Sequence, residues 1–131
     1  MQSAITFARN AQIAPEALRD LLAQTDWAKA RTVQSLERML QQTSLHVSAW
    51  QDERLVGFAR ALSDGVFRAV IEDVVVTHEL RGHGLGRELL RLLLAELHGV
   101  EEVALGCLEH LVPFYESFEF HRVSHPYMKK R

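Results

Sequence analysis

The sequence predicts a mixed α/β fold, and three observations carry that prediction. A β-branched run from Val70 to Val76 is followed by a glycine-rich turn and then by leucines at helical spacing, a strand–turn–helix unit. Short apolar runs at Leu45 to Trp50, Arg54 to Leu62 and Val66 to Val76 are separated only by polar turns, as in an antiparallel meander. A further apolar run from Glu102 to Cys107 comes one helix later, so a right-handed crossover makes it parallel to the strand before that helix.

In order, Ser3 to Ala8 reads as a first strand. Pro15 suits the first turn of a helix whose stripe is Ala17, Leu18, Leu21 and Leu22. A second helix runs from about Ala30 to Gln41, with Val33, Leu36, Met39 and Leu40 on one face. Gln51-Asp52-Glu53 and Ser63-Asp64-Gly65 are the turns of the meander. The glycine-turn helix starts near Gly84 and repeats Leu85, Leu89, Leu92 and Leu93. After the run to Cys107, His110 to Phe118 reads as a helix and Phe120 to Tyr127 as a last strand. The order is β-α-α-β-β-β-α-β-α-β.

The bulk properties limit the function classes. With 131 residues, 47% of them hydrophobic, the chain suits one domain, residues 1–131, with a real core. A net charge of −2 argues against nucleic acid as a partner. The single cysteine, Cys107, excludes an internal disulfide and fits a reducing, cytoplasmic location. No apolar stretch is long enough to span a membrane. Seven histidines are present, but none sits at a metal-ligand spacing, so no metal is expected.

The turn Arg81-Gly82-His83-Gly84-Leu85-Gly86 carries the chemistry. Its glycines leave the backbone open to an anion, and it opens a helix whose first N–H groups lack partners and whose dipole is positive there. Such a turn is a phosphate seat. No Lys-Ser/Thr follows, which excludes the P-loop, and the third glycine of G-x-G-x-x-G is absent, which excludes the dinucleotide fingerprint. Arg81, Gly84 and Gly86 instead fill Arg/Gln-x-x-Gly-x-Gly/Ala. That pattern resembles the coenzyme A pyrophosphate loop of the GNAT superfamily of N-acetyltransferases. Pro113-Phe114-Tyr115-Glu116-Ser117-Phe118-Glu119-Phe120 resembles the superfamily's second motif, and the likeness covers about residues 45 to 131.

The resemblance implies a mostly antiparallel sheet of six to seven strands flanked by about four helices. It implies transfer of an acetyl group from acetyl-CoA to a primary amine of a small molecule, by direct attack in a ternary complex. Coenzyme contacts are expected from Val74, Val75, Val76, Arg81, Gly82, His83, Gly84, Leu85, Gly86, Arg87, Phe114 and Tyr115. Val75 or Val76 would supply the N–H that meets the developing oxyanion. Tyr115 is the expected acid for the leaving thiolate.

Glu72 and Asp73 are both candidates for the base. Strand alternation puts them on opposite faces, so only one can face the cleft, and Glu72 is preferred. His78, His83 and His110 are further titratable groups near the motifs. Trp27 is a core anchor or an acceptor wall, and Arg60 is an acceptor contact. Cys107 is read as a small buried residue in preference to a nucleophile.

Glu119 replaces a usual glycine, so the turn into the last strand is expected to be built differently. Leu111 replaces a coenzyme-holding asparagine. Ile71-Glu72-Asp73-Val74-Val75-Val76 and the Phe-Tyr segment look like the glucosamine-6-phosphate N-acetyltransferases, although Gly106 stands at their fifth-strand aspartate. The stretch Gly57-Phe58-Ala59-Arg60-Ala61 looks like the plant and cyanobacterial serotonin-type arylalkylamine enzymes. The acceptor stays open, as do a non-catalytic acyl-CoA-binding module, a transferase for protein N-termini or lysines, and a homodimer through the last strands.

Overall fold

A computed structural model describes residues 4–131. One five-stranded sheet has the spatial order β1-β2-β3-β4-β5. The strands are β1 (Ile5–Arg9), β2 (Leu45–Gln51), β3 (Arg54–Ser63), β4 (Arg68–Val76) and β5 (Glu102–Leu105). Neighbours are antiparallel except β4 and β5, which are parallel. The helices are α1 (Pro15–Leu22), α2 (Val33–Gln42), α3 (Leu85–Glu96) and α4 (Val112–Glu116). The predicted first strand thus holds from Ile5, while its expected start at Ser3 lies outside the described residues.

Local chemistry explains where boundaries differ from the sequence reading. β4 begins at Arg68, not Val66, because Asp64 Oδ1 accepts the N–H groups of Val66, Phe67 and Arg68 and holds that segment in a loop. The same bonds favour the Asp64 carboxylate and lower its pKa. α2 begins at Val33 because Thr32 caps it reciprocally with Ser35.

Two apolar layers hold the sheet. On one face, Leu85, Leu89, Leu90 and Leu93 of α3 pack on Val47, Ala49, Ala59, Ala61, Ala69 and Ile71. The strand residues under α3 are mostly small, and a Cβ on Gly57 would lie 2.9 Å from Leu89 Cδ1 and 3.1 Å from Ala49 Cβ. The helix therefore rests almost on the backbone. On the other face, Leu18, Leu21, Leu22 and Leu36 of α1 and α2 pack on Leu55, Phe58 and Val75. Among the described residues no helix is long and apolar enough to cross a membrane.

The expected count of six to seven strands is not met: the described residues form five. The missing strand is Phe120 to Tyr127. Its partner would be the free edge of β5, which stops at Leu105, short of Cys107. Pro126 has no N–H to give a ladder. Arg122 is instead ion-paired to Glu109. A cavity of about 580 Å³, lined by Val103, Leu105, Tyr115 and Phe120, separates the tail from β5. α4 is also shorter than expected, because Glu109–Leu111 forms a separate 3-10 turn before it.

The turn at Glu119 is not built differently after all. Glu119 takes the left-handed backbone of a glycine, with φ 71°, and the Phe120 N–H returns to the Tyr115 carbonyl at 3.3 Å. A non-glycine residue in that region is strained by about 1–3 kcal/mol. Glu119→Gly should therefore raise stability by roughly 0.5–1 kcal/mol after the extra unfolded-state freedom of glycine is set against the relief. Urea denaturation reads this, and a lower midpoint at unchanged slope would show that the turn carries no strain.

Candidate active site

The site is shaped by a bulge in β4. Phe58 pairs with Val75 and Arg60 with Glu72, so Asp73 and Val74 together oppose a single residue of β3. Asp73 has φ 57°, a left-handed residue within a strand. Its side chain is 1% exposed, and its Oδ2 accepts Arg60 Nε at 2.6 Å and Arg31 Nη1 at 2.8 Å. A buried carboxylate with two charge-assisted partners holds the strained backbone in place.

The bulge overturns the expectation that Glu72 and Asp73 lie on opposite faces. Alternation is suspended at a bulge. Glu72 is the cross-strand partner of Arg60, and Asp73 is ion-paired to the same Arg60. The two acids differ in environment instead. Asp73 is buried and doubly bonded, whereas Glu72 is exposed and has no hydrogen-bond or ion-pair partner among the described residues.

Below the bulge β4 pairs with β5 from Arg68↔Glu102 to Ile71↔Leu105, and above it that pairing has ended. Among the described residues, Val75 and Val76 therefore have a strand neighbour only on the β3 side. The Thr77 N–H bonds the Val56 carbonyl at 2.8 Å, and Arg81 Nε donates to the Val76 carbonyl at 3.2 Å. Antiparallel alternation then turns the Val75 N–H towards Phe58 and the Val76 N–H away from β3, into the gap. Of the two expected oxyanion donors, only Val76 faces the opening.

The anion seat lies at the top of this gap. Gly82 and Gly84 have φ 81° and 84°, and a Cβ on either would meet nothing within 4 Å. The first backbone bond of α3 is Glu88 N–H to the Gly84 carbonyl at 3.1 Å. The N–H groups of Leu85, Gly86 and Arg87 are thus left for an outside acceptor at the positive end of a twelve-residue helix. Gly86 faces Val76 and Phe114, and a Cβ there would lie 3.8 Å from the first and 3.9 Å from the second. A coenzyme diphosphate fits this set of donors and open space. His83 is turned back onto the loop, its Nδ1 3.0 Å from the Arg81 carbonyl and 3.2 Å from that of Leu80, which assigns the proton to Nδ1. Arg87 stacks over Phe114 and Phe118 at 5.6 and 4.9 Å and donates to Ser117 Oγ, tying α3 to α4.

Tyr115 is 8% exposed, and its ring meets Phe114 and Phe120 edge-on at 5.0 and 6.1 Å. Burial first, and the neighbouring Cys107 second, push its phenol up to about 12. It is protonated at any physiological pH. Cys107 itself is exposed, against the buried position expected of it. Trp27 is 52% exposed and so is no core anchor. His78 opens the turn after β4 and gives its N–H to Gln24 Oε1, and His110 sits in the turn before α4. Leu111 is exposed at the same turn.

Arg31 is a site residue that sequence reasoning missed. It lies 42 positions from Asp73, in the irregular connection between α1 and α2. The one local hint is Trp27 four residues earlier, over whose ring its guanidinium sits at 5.8 Å.

Residues 10–131 match the family model for the acetyltransferase (GNAT) domain. The chain belongs to the GNAT acetyltransferase family. An uncharacterised ycf52-like N-acetyltransferase of Prochlorococcus marinus is 35% identical over 106 residues, 76% of this chain and 58% of that protein. The chloroplastic serotonin N-acetyltransferase 2 of rice is 46% identical over 69 residues, 51% of this chain and 34% of that one. This GNAT chain thus spans little more than half, or less, of these relatives' length. A candidate acetyltransferase from Deinococcus radiodurans R1 has a crystal structure that superposes with TM-score 0.83 at 30% identity, covering 99% of this chain and 94% of its own. Arabidopsis thaliana glucosamine-6-phosphate N-acetyltransferase shares the fold, with TM-score 0.74 at 20% identity over 95% of this chain and 98% of its own.

The double ion pair in this GNAT domain gives a prediction. Asp73→Asn leaves two guanidinium groups facing each other without their anion, and should cost about 3 kcal/mol of stability. Chemical denaturation measures it; a loss below about 1 kcal/mol would mean that the bulge is held by something else.

Proposed function

We propose that this protein is an acetyl-CoA-dependent N-acetyltransferase acting on a primary amine of a small molecule. The observation that carries this reading is the open glycine seat at α3 beside the unpaired upper edge of β4, with Gly86 lying against both Val76 and Phe114, the residue before the buried, protonated Tyr115. Family membership and the N-acetyltransferase names of the relatives support the reaction class. Acetyl-CoA supplies an activated thioester carbonyl as co-substrate.

Each residue has its part in the transfer. N–H groups of Leu85, Gly86 and Arg87 hold the diphosphate, with Gly82 and Gly84 leaving room for it. The Val76 N–H points to the carbonyl oxygen and stabilises charge as it develops there. Glu72, exposed and unpaired, takes the amine proton directly or through water. The nitrogen–carbon bond forms, the carbon–sulfur bond breaks, and Tyr115 gives its proton to the departing sulfur. The proton held by Glu72 returns through solvent to Tyr115, so the products are an amide and a thiol. Holding both reactants in one gap itself lowers the barrier, by up to ~7–11 kcal/mol for well-aligned groups. Asp73, locked by Arg31 and Arg60, fixes the strand and takes no proton in this scheme.

Three measurements test the proposal. Tyr115→Phe should lower kcat by about 100-fold with little change in KM for acetyl-CoA. An unchanged kcat at every pH removes Tyr115 from the role of acid. Gly84→Val places a side chain in the phosphate seat on a left-handed backbone, and should weaken acetyl-CoA binding at least tenfold by calorimetry while the domain stays folded. Equal affinity in the folded variant refutes the assignment of the loop. Release of free thiol with an amine present separates an enzyme from a domain that only binds acyl-CoA.

A further inference from the structure

One face of β3 and β4 carries guanidinium donors that the fold does not use. Arg60 and Arg31 share one oxygen of Asp73. The second guanidinium charge is matched only by Glu72, which neither Arg bonds. Arg60 spends only Nε on Asp73, and Arg31 only Nη1. Their remaining N–H groups have no hydrogen-bond partner among the described residues, and none of those nitrogens is a sealed, unsatisfied donor. Arg31 keeps 34% of its side chain exposed and lies 5.8 Å over the half-exposed Trp27 ring.

One other carboxylate stands next to this pair. Glu72 faces Arg60 across the strands, yet makes no ion pair with it. Instead two guanidinium forks with free N–H groups stand on one side of the bulge, and a free carboxylate stands on the same face. Arg side chains held in place with free N–H forks suit carboxylate and phosphate oxygens. A free carboxylate suits an amine.

We infer that the acceptor is an amine that also carries an anionic group, a carboxylate or a phosphate, which docks on Arg31 and Arg60 while its nitrogen faces Glu72. This rests on the acetyltransferase reading above and narrows its substrate class. Arg31 is the selective element, because its side chain is the more open of the two, 34% exposed against 13% for Arg60. Trp27 flanks the anion site as an apolar wall.

Matched acceptors that differ in the anion test this, with thiol release from acetyl-CoA as the readout. The pairs are 4-aminobutyrate against butylamine, 5-hydroxytryptophan against serotonin, and phosphoethanolamine against ethanolamine. In at least one pair, the anion-bearing member should show a kcat/KM at least tenfold higher than its neutral partner. The carboxylate and phosphate pairs distinguish which anion is taken. Arg31→Gln should reduce that ratio about tenfold, chiefly through KM of the acceptor, and Arg31→Lys should restore part of it. Thermal denaturation of both variants confirms that they fold.

Neutral amines acetylated as fast as their anionic partners, in all three pairs, overturn the inference and leave the acetyltransferase reading standing. So does an Arg31→Gln variant that is folded and keeps the ratio. Absence of thiol release with every amine of the panel overturns the inference together with the reading on which it rests.

Discussion

The two bonds to Asp73 Oδ2, from Arg31 and Arg60, are the constraint on which the rest of the site depends. A left-handed aspartate inside a strand is unfavourable on its own, and a buried carboxylate is more so. The guanidinium groups satisfy the charge, and the geometry they impose keeps the backbone bulged. The bulge in the β3–β4 ladder lies just above the point where β5 ends and β4 loses that neighbour, at Ile71 and Leu105. The opening therefore begins beside the strand segment that this side-chain interaction holds. Arg31 also brings the α1–α2 connection, and Trp27 with it, onto β4, so one anion positions both the bulge and its flanking loop.

A second set of contacts places the phosphate seat relative to that gap. α3 packs on a floor of Ala49, Gly57, Ala59, Ala61 and Ala69, and its fully buried leucines leave it little freedom to slide. Arg87 joins its first turn to α4 through the rings of Phe114 and Phe118. At the far end of β4, buried Thr77 accepts Gln24 Nε2 and Arg54 at its hydroxyl, which ties the end of α1 to the same strand. Helix start and strand edge are thus held by separate contacts, and Gly86 brings α3 against both Val76 and Phe114.

Much of this was legible in the sequence, for physical reasons that differ by element. The run Val70 to Val76, the three glycines after Arg81 and the leucine spacing of α3 are local patterns, and the strand–turn–helix unit follows from them. The meander was legible because its turns are short and polar. The last strand failed because Phe120 to Tyr127 carries strand-like residues but has no partner to pair with, and pairing is not a local property. The faces of Glu72 and Asp73 were misread because strict alternation assumes a regular strand; nothing in the residues announces the bulge. Arg31 was missed because an ion pair across 42 positions leaves no periodic trace. Glu119 shows the reverse error: the backbone kept the shape that glycine favours although the residue changed.

The small-residue floor beneath α3 has a consequence for how such a domain can change over generations. On that face a methyl group added at Gly57 would strike Leu89 of the helix, so the close approach confines that position to glycine. Leu62, Val70 and Glu72 lie on the opposite face, where side chains reach solvent and owe little to packing. One layer of strands can in this way keep one side fixed while part of the other is free to vary.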